Sequence, residues 1–435
     1  MKTKTLLASC IALALAGLTA AVLHNSDSAA DNVADDQLTA AGALAVDPAA
    51  AARGAYVSAQ ADCAACHTKP GGPAFAGGYG LQTPFGVIYS TNITPDPQTG
   101  IGRWTERDFF RAVRHGQRKD GQRLYPAMPY NAYVKISDAD LHDLWAYMRT
   151  LQPVQQAPTP NTLGFPFNIR QTLLGWNLLF FDNTPFVSQP EQSAQWNRGR
   201  YLVDGAGHCS ACHTPKNLLG GDTGRYLQGA ELLGSYAPEI TGDHYRGLGS
   251  WSAEQIAVYL KTGANHQAIA SGPMGEAIEF STQHLSDQDL TAIAEYLKSV
   301  DGSKTTPPPA IAASEPIMQR GAQVYELNCM ACHNVNGEGL PGMVTGFADN
   351  PGIRTPSAAN LVGTVLKGGQ AVITEGNVTG AGMPSFDWKL SDSDIAAVLT
   401  YVRNSWGNAA PEVEAQAVTR TREHLGLQPA MKNHF

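Results

Sequence analysis

The sequence predicts a mainly α-helical chain of three tandem small domains joined by Pro-rich linkers. Three observations lead there. The pattern Cys-x-x-Cys-His occurs three times, at Cys63 to His67, Cys209 to His213 and Cys329 to His333. Each occurrence sits inside a repeated frame of helical segments, and proline clusters separate the frames.

Taken in order, the chain begins with Lys2 and Lys4 ahead of an apolar run from Thr5 to Leu23, with Leu18-Thr19-Ala20 as a small-residue cleavage site. This reads as a secretory signal over 1–23, with an uncleaved anchor as the alternative. Cys10, the one cysteine outside the three motifs, is expected to be discarded with it. An Ala/Asp-rich stretch at 24–48 is expected to be disordered. The first domain is assigned to 49–157, a Pro/aromatic linker to 158–195, the second domain to 196–302, a Pro-rich linker to 303–315, the third domain to 316–408 and a polar tail to 409–435. In the tail, Val413, Ala417 and Leu425 mark one narrow helical face. No later stretch is long and apolar enough to span a bilayer, so the body is expected to be soluble or to lie on a membrane surface.

Each domain opens with an Arg-Gly pair, at Arg53-Gly54, Arg198-Gly199 and Arg320-Gly321, on a helix that leads into the cysteines. Each closes with a helix announced by Ser-Asp-x-Asp, from Ser137, Ser286 and Ser391. The serine is expected to cap the first turn, the acid three residues on to complete a capping box, and both acids to favour the positive helix end. Arg149, Lys298 and Arg403 finish these helices where the dipole is negative.

The motif itself is the attachment signature of c-type haem. Two thiols at this spacing can add to the two vinyl groups of one porphyrin, and the adjoining histidine coordinates the iron. Cys63 and Cys66, Cys209 and Cys212, and Cys329 and Cys332 are therefore the covalent sites, with His67, His213 and His333 as proximal ligands. A thioredoxin-like redox pair needs one motif near a βαβ pattern, and a zinc ribbon needs two neighbouring pairs to share a metal. Disulfides across such short loops would contribute little chain-entropy stabilisation.

Each domain also supplies a methionine beside Pro or Gly shortly before the closing helix: Met128, Met274 and Met383. The separations 128 − 67 and 274 − 213 both give 61, and 383 − 333 gives 50 in the shorter third domain. Equivalent positions in three repeats mark these as distal ligands in Gly/Pro-rich loops, and leave Met148 and Met343, which have no counterparts, as packing. With His and Met on every iron no site stays open to peroxide or oxygen, so the haems carry electrons and a peroxidase-type enzyme is disfavoured.

The layout resembles the triheme cytochrome c subunits of membrane-bound bacterial dehydrogenases, those of flavin-dependent gluconate, sorbitol and fructose dehydrogenases and of quinoprotein alcohol dehydrogenase. The resemblance spans about 50–407. It rests on the three motifs and on Thr83-Pro84-Phe85-Gly86, Ser90 to Asp96, Gly100 to Trp104, Phe165 to Arg170, Trp176 to Phe181 and Cys212 to Asn217. It implies three cytochrome c-like domains, the same His and Met ligands, and a non-catalytic redox role. A catalytic subunit, FAD-dependent or, as the alternative, PQQ-dependent, would oxidise its substrate on the periplasmic side. This chain would then pass the electrons to ubiquinone at the cytoplasmic membrane. A free-standing periplasmic shuttle is the runner-up.

The net charge of −8 excludes nucleic acid as an expected partner. Arg107, Arg111, Arg114 and Arg118 recur at helical spacing, which fits either a solvated face pairing with haem propionates or a docking surface for an acidic partner or anionic lipid. The apolar aromatic segment Phe165 to Phe181 fits domain packing, or contact with a subunit or membrane.

Overall fold

The computed structural model describes residues 46–428, all within a single compact unit. The expected signal at 1–23 and most of the Ala/Asp-rich stretch lie outside the described residues. Unit I runs through α1 (Pro48–Gln60), the hairpin β1 (Gly80–Thr83) and β2 (Gly86–Tyr89), α2 (Glu106–His115) and α3 (Asp138–Met148). A connecting segment follows with β3 (Thr162–Leu163) and α4 (Thr172–Phe180). Unit II holds α5 (Ala194–Tyr201), the hairpin β4 (Gln228–Leu232) and β5 (Ser235–Glu239), α6 (Ala253–Thr262), α7 (Gly272–Phe280) and α8 (Asp287–Ser299). Unit III holds α9 (Pro316–Asn328), α10 (Ala359–Lys367), the short pair β6 (Gly369–Gln370) and β7 (Gly382–Met383), α11 (Asp392–Arg403) and α12 (Ala415–His424).

The Arg-Gly pairs explain how each unit closes. Opening helices α1, α5 and α9 pack on closing helices α3, α8 and α11. The glycine lies where the two backbones nearly touch. A Cβ on Gly54, Gly199 or Gly321 would stand 1.8, 1.9 or 2.3 Å from the carbonyl oxygen of Asp143, Ala292 or Ala397. The preceding arginine then clamps the crossing: Arg53 binds Asp143 through two bonds of 2.6 and 2.7 Å, Arg198 binds Asp289 through two of 2.8 Å, and Arg320 binds Asp394 at 2.7 Å. Around each crossing sits a separate apolar core. Leu141, Leu144 and Trp145 belong to the first, Leu290, Ile293 and Leu297 to the second, and Ile395, Leu399 and Val402 to the third.

The closing helices are capped by serine as expected, with Ser137, Ser286 and Ser391 accepting from the backbone N–H of Asp140, Asp289 and Asp394 at 3.1, 3.2 and 3.1 Å. The reciprocal half of the capping box does not form, because those acids are taken by other partners. In its place the N–H groups of Ser137 and Ser286 donate to Tyr201 and Tyr56, each at 2.9 Å. The terminal cations do more than meet a dipole: Arg403, fully buried, donates to the carbonyls of Ile353 and Thr355, and Lys298 to those of Gly249 and Trp251.

Units I and II exchange tyrosines. Tyr56 of α1 donates to Asp289 at 2.8 Å, and Tyr201 of α5 donates to Asp140, so each opening helix seals the closing helix of the other unit. Units II and III meet differently. Val372 packs with Ala270 and Ile278, Asn360 forms two backbone bonds with Tyr236 at 2.9 and 2.7 Å, and the Thr345 hydroxyl donates to Gln267 at 2.9 Å. The larger contacts between units among the described residues all involve unit II.

The stretch read as a Pro/aromatic linker and the stretch read as a tail are both packed structure, the former as the domain-packing reading of its aromatic segment expects. β3 adds to the hairpin of unit I, pairing Thr162 with Val87 and Leu163 with Gly86, and Leu173 of α4 is buried. The tail forms α12, with Val413 and Val418 buried against unit III. Arg422, also buried, donates to Asp392 at 2.8 Å. Ala417, expected on the inner face, is only half-buried, because the buried stripe runs through Val418 and Arg422, one turn apart.

Candidate functional site

Each opening helix is followed by a short helical turn that carries a motif: Cys63–His67, Ser210–His213 and Met330–His333. This winding places the two thiols on consecutive turns and the histidine next to the second. Before haem attachment, burial pushes the thiols of Cys63 and Cys209 up to about 12 and that of Cys329 up to about 11, the opposite of the lowered values of redox-catalyst cysteines. None of the six motif cysteines is in a disulfide.

The three histidines are held the same way. Nδ1 of His67 donates to the Thr91 carbonyl at 2.7 Å, Nδ1 of His213 to Pro238 at 2.6 Å, and Nδ1 of His333 to Thr345 at 3.4 Å. Such a bond fixes the tautomer, leaving Nε2 as the free lone pair, and raises its basicity toward a metal. Burial lowers the pKa of all three rings, which keeps them in the neutral, ligating form. The hairpins explain the delivery of two of these carbonyls. Thr91 lies just past β2, and Pro238 lies in β5. In unit I the loop is further pinned by Asn92, whose amide donates to Val154 at 2.7 Å and whose oxygen accepts from the Thr94 N–H at 2.9 Å. Sequence reasoning singled out neither Pro238 nor Thr345, and gave Thr91 no role, since any residue can offer a carbonyl. The only signal was the Ser90 to Asp96 stretch.

All six motif cysteines, His67, His213, His333 and the methionines Met128, Met274 and Met383 line one continuous cavity of ≈ 3010 Å³. That is about three times the upper end of an ordinary ligand pocket, ~300–1,000 Å³. The three methionines do not share one kind of loop. Met128 sits in a turn between Tyr125 and Tyr130, Met274 is the third residue of α7, and Met383 ends β7. The expectation of a loop fails for the last two. Pro273 starts a helix as readily as it fixes a loop, and the shorter unit III supports its methionine by pairing with Gly369. Met148 is fully buried packing, as expected, whereas Met343 is 53% exposed on the loop before Thr345, so it is not core.

The arginine stripe on α2 is not a free face. Arg114 turns inward, donating to the Ile136 carbonyl and pairing with Asp138 at 2.5 Å. Arg111 donates to Gln117 at 2.6 Å, and Arg118 pairs with Asp120 at 3.2 Å while also lining the cavity.

The donor set suits an iron porphyrin: paired thiols for covalent attachment, neutral imidazoles with one nitrogen free, soft thioethers, and a mostly enclosing apolar wall. Comparison with known proteins agrees. The cytochrome c family model matches residues 51–152, 197–301 and 318–406. The chain belongs to the cytochrome c family. It carries three covalently bound haem c groups, one per cytochrome c domain. Over 403 residues it is 40% identical to the gluconate 2-dehydrogenase cytochrome c subunit of Pantoea cypripedii, covering 88% of this chain and 91% of that one. It is 39% identical over 401 residues to the fructose dehydrogenase cytochrome subunit of Gluconobacter japonicus, with 85% and 82% covered. It is 38% identical over 399 residues to the cytochrome c subunit of the quinone alcohol dehydrogenase of Gluconacetobacter polyoxogenes, with 87% and 85% covered. This cytochrome is thus a member of the group of dehydrogenase cytochrome c subunits.

Proposed function

We propose that this chain is the electron-transfer subunit of a dehydrogenase complex on the periplasmic face of the cytoplasmic membrane. It takes electrons from a catalytic subunit, FAD-dependent and gluconate-dehydrogenase-like, and delivers them to ubiquinone. Bound haem c supplies one-electron transfer at its iron. The chain's residues hold and tune it. Cys63, Cys66, Cys209, Cys212, Cys329 and Cys332 form the thioether links. His67, His213 and His333 would offer Nε2 to the iron, oriented by the carbonyls of Thr91, Pro238 and Thr345. Met128, Met274 and Met383 would supply a thioether ligand to each haem, which would raise the potential relative to a second histidine. The domains proposed are 49–157, 196–302 and 316–408.

The observation that carries this reading is the single cavity shared by all three motifs, with unit II between the other two. Electrons crossing the chain end to end pass through unit II. The junction of I and II is close: the turn of the first motif contacts α7, and Asp62, just before that motif, and Cys66 within it feel the charge of Glu276 on α7, with Cys66 also coupled to Cys212 of the second motif. The relatives' names support the dehydrogenase partner, and one of them names a quinone. The test is substrate-dependent reduction of ubiquinone analogues in membranes of a strain lacking only this chain. The rate should collapse while activity with artificial dyes persists. An undiminished quinone rate would refute the role and leave a free periplasmic shuttle.

A further inference from the structure

The helix α4 has two apolar faces. Leu173, Trp176, Asn177 and Phe180 point inward at spacings of three and four, which is ordinary for a packed helix. Leu174, Gly175, Leu178 and Leu179 form a second stripe pointing outward, with Leu179 67% exposed. Nearby, Phe165 is 81% exposed, and the loop after the second motif holds out Leu218 at 95%. That loop is fastened to α4. The indole N–H of Trp176 donates to the Leu219 carbonyl at 3.0 Å, and the Phe180 ring packs so tightly on Gly221 that a Cβ there would meet it at 2.5 Å. No charged residue occurs between Arg170 and Asp182.

Several polar groups of this surface are bonded within it. The side-chain oxygen of Asn217 accepts from the N–H groups of Leu219 and Gly221 at 2.9 and 3.1 Å, and its carbonyl accepts from Gly220 at 2.9 Å. The Gly221 carbonyl accepts from the Asn217 N–H at 2.8 Å. On α4 the Thr172 hydroxyl donates to Ile169 at 2.7 Å, and Asn177 accepts from the Tyr130 hydroxyl at 2.7 Å. Hydrocarbon supplies no hydrogen bonds, so a face whose polar groups are bonded internally suits lipid contact. The exposed side chains are nearly all aliphatic. Protein hot spots favour Trp, Tyr and Arg and under-use Leu, while interfacial helices present Leu, Phe and Trp to the acyl boundary.

We propose that the outer face of α4, with Phe165 and the Leu218-Leu219 tip, is a lipid-contact surface that seats the protein in the headgroup–acyl boundary of a phospholipid bilayer. It rests on the reading of the chain as a membrane-side relay, and it gives that relay an attachment point in a molecule whose described residues include no helix long and apolar enough to cross a membrane. Trp176, Leu179, Leu218 and Leu219 also line the cavity, so an acceptor dissolved in the lipid would approach the wall that encloses units I and II.

The test uses the full haem-loaded chain and vesicles of phosphatidylethanolamine and phosphatidylglycerol in a flotation assay. The native protein should float with the vesicles. Phe165→Gln/Leu174→Gln/Leu178→Gln, three exposed positions that do not line the cavity, should lower the partition coefficient about tenfold or more while the visible haem spectrum stays unchanged. Equal flotation of variant and native protein, or flotation of neither, overturns the proposal. So does a variant that keeps its vesicle binding and loses copurification with the catalytic subunit, since the face would then be a subunit interface. Failure of the relay reading is distinct: vesicle binding would persist while quinone reduction with the catalytic subunit would be absent.

Discussion

Replacing Gly199 by alanine probes the contact on which the fold of unit II depends. The new Cβ would stand 1.9 Å from the Ala292 carbonyl oxygen and 3.0 Å from Cβ of Tyr296. Side-chain carbons do not approach a carbonyl oxygen closer than 3.0 Å, so α5 and α8 must separate by at least 3.0 − 1.9 = 1.1 Å. Both contacts are rigid, one backbone and one at the root of a side chain, so neither can swing aside. The separation also strains the Arg198–Asp289 clamp, whose two bonds are 2.8 Å each. Overpacking of this kind costs about 1–3 kcal/mol. At roughly 4–8 °C per kcal/mol for a domain of about 100 residues, the melting temperature should fall by several degrees or more. The same substitution at Gly363 is the control. It lies in the middle of α10 with nothing within 4 Å of the added carbon, so alanine there should stabilise by about 0.5–1 kcal/mol through helix propensity alone. Thermal unfolding followed by circular dichroism and by the haem Soret band reads both. Opposite signs are expected, and a Gly199→Ala protein as stable as the native one would refute the tight crossing.

Two further outcomes are expected. Met128→Ala, Met274→Ala and Met383→Ala should each lower one haem potential of three in a spectroelectrochemical titration, and a Met383→Ala protein with all three potentials unmoved would remove that ligand assignment. Tyr56→Phe should loosen the junction of units I and II by about 1–3 kcal/mol, and in a pH-dependent way. Burial pulls the Asp289 carboxyl upward, but hydrogen bonds from Arg198 and Tyr56 outweigh it and hold it below the usual carboxylate range. A depressed carboxylate stabilises the fold above its unfolded pKa of about 3.9, and that contribution is lost as pH falls through the lower folded value. The destabilisation by Tyr56→Phe should therefore be full above about pH 5 and shrink in more acid solution, as denaturant titrations at several pH values would show; a pH-independent effect would contradict the linkage.

What the sequence displays well is whatever depends on side-chain identity repeated at fixed spacing. The motifs, the Arg-Gly pairs and the serine caps all fall in this class, because a thiol, a missing Cβ or a hydroxyl is required at one position and no neighbour can replace it. The methionines were visible as positions but not as structures, since a turn, a helix and a strand end can each aim a flexible thioether into the same cavity. The carbonyls of Thr91, Pro238 and Thr345 leave no mark, because the backbone is common to every residue. The arginine stripe was legible only in part: helical spacing holds for Arg107, Arg111 and Arg114, but Arg118 lies beyond the helix end at His115, and spacing does not tell that Arg114 is drawn inward by the Ile136 carbonyl and Asp138. The capping boxes failed because Asp140, Asp289 and Asp394 are better used by residues distant in sequence, which no local pattern foretells.

That diversion of the acids has a consequence for the architecture of the whole chain. Tyr56 and Tyr201 stand three residues after the arginines of their Arg-Gly pairs, and each crosses to the closing helix of the other unit. The exchange is isologous, the same surface meeting its own copy, and such a contact closes on itself with no free valence left for a third member. Unit III follows this logic. At the corresponding place it has Gln323, which is exposed, and its acid Asp394 accepts from Arg320 and from its own cap Ser391. Its attachment to unit II uses other residues, Val372, Asn360 and Thr345, from segments with no part in the first junction. The molecule therefore joins units I and II by an exchanged pair of contacts and adds unit III through an interface of different construction. Tyr56→Phe and Tyr201→Phe alter the first interface, and changes at Val372 or Asn360 alter the second, so the two junctions can be loosened independently.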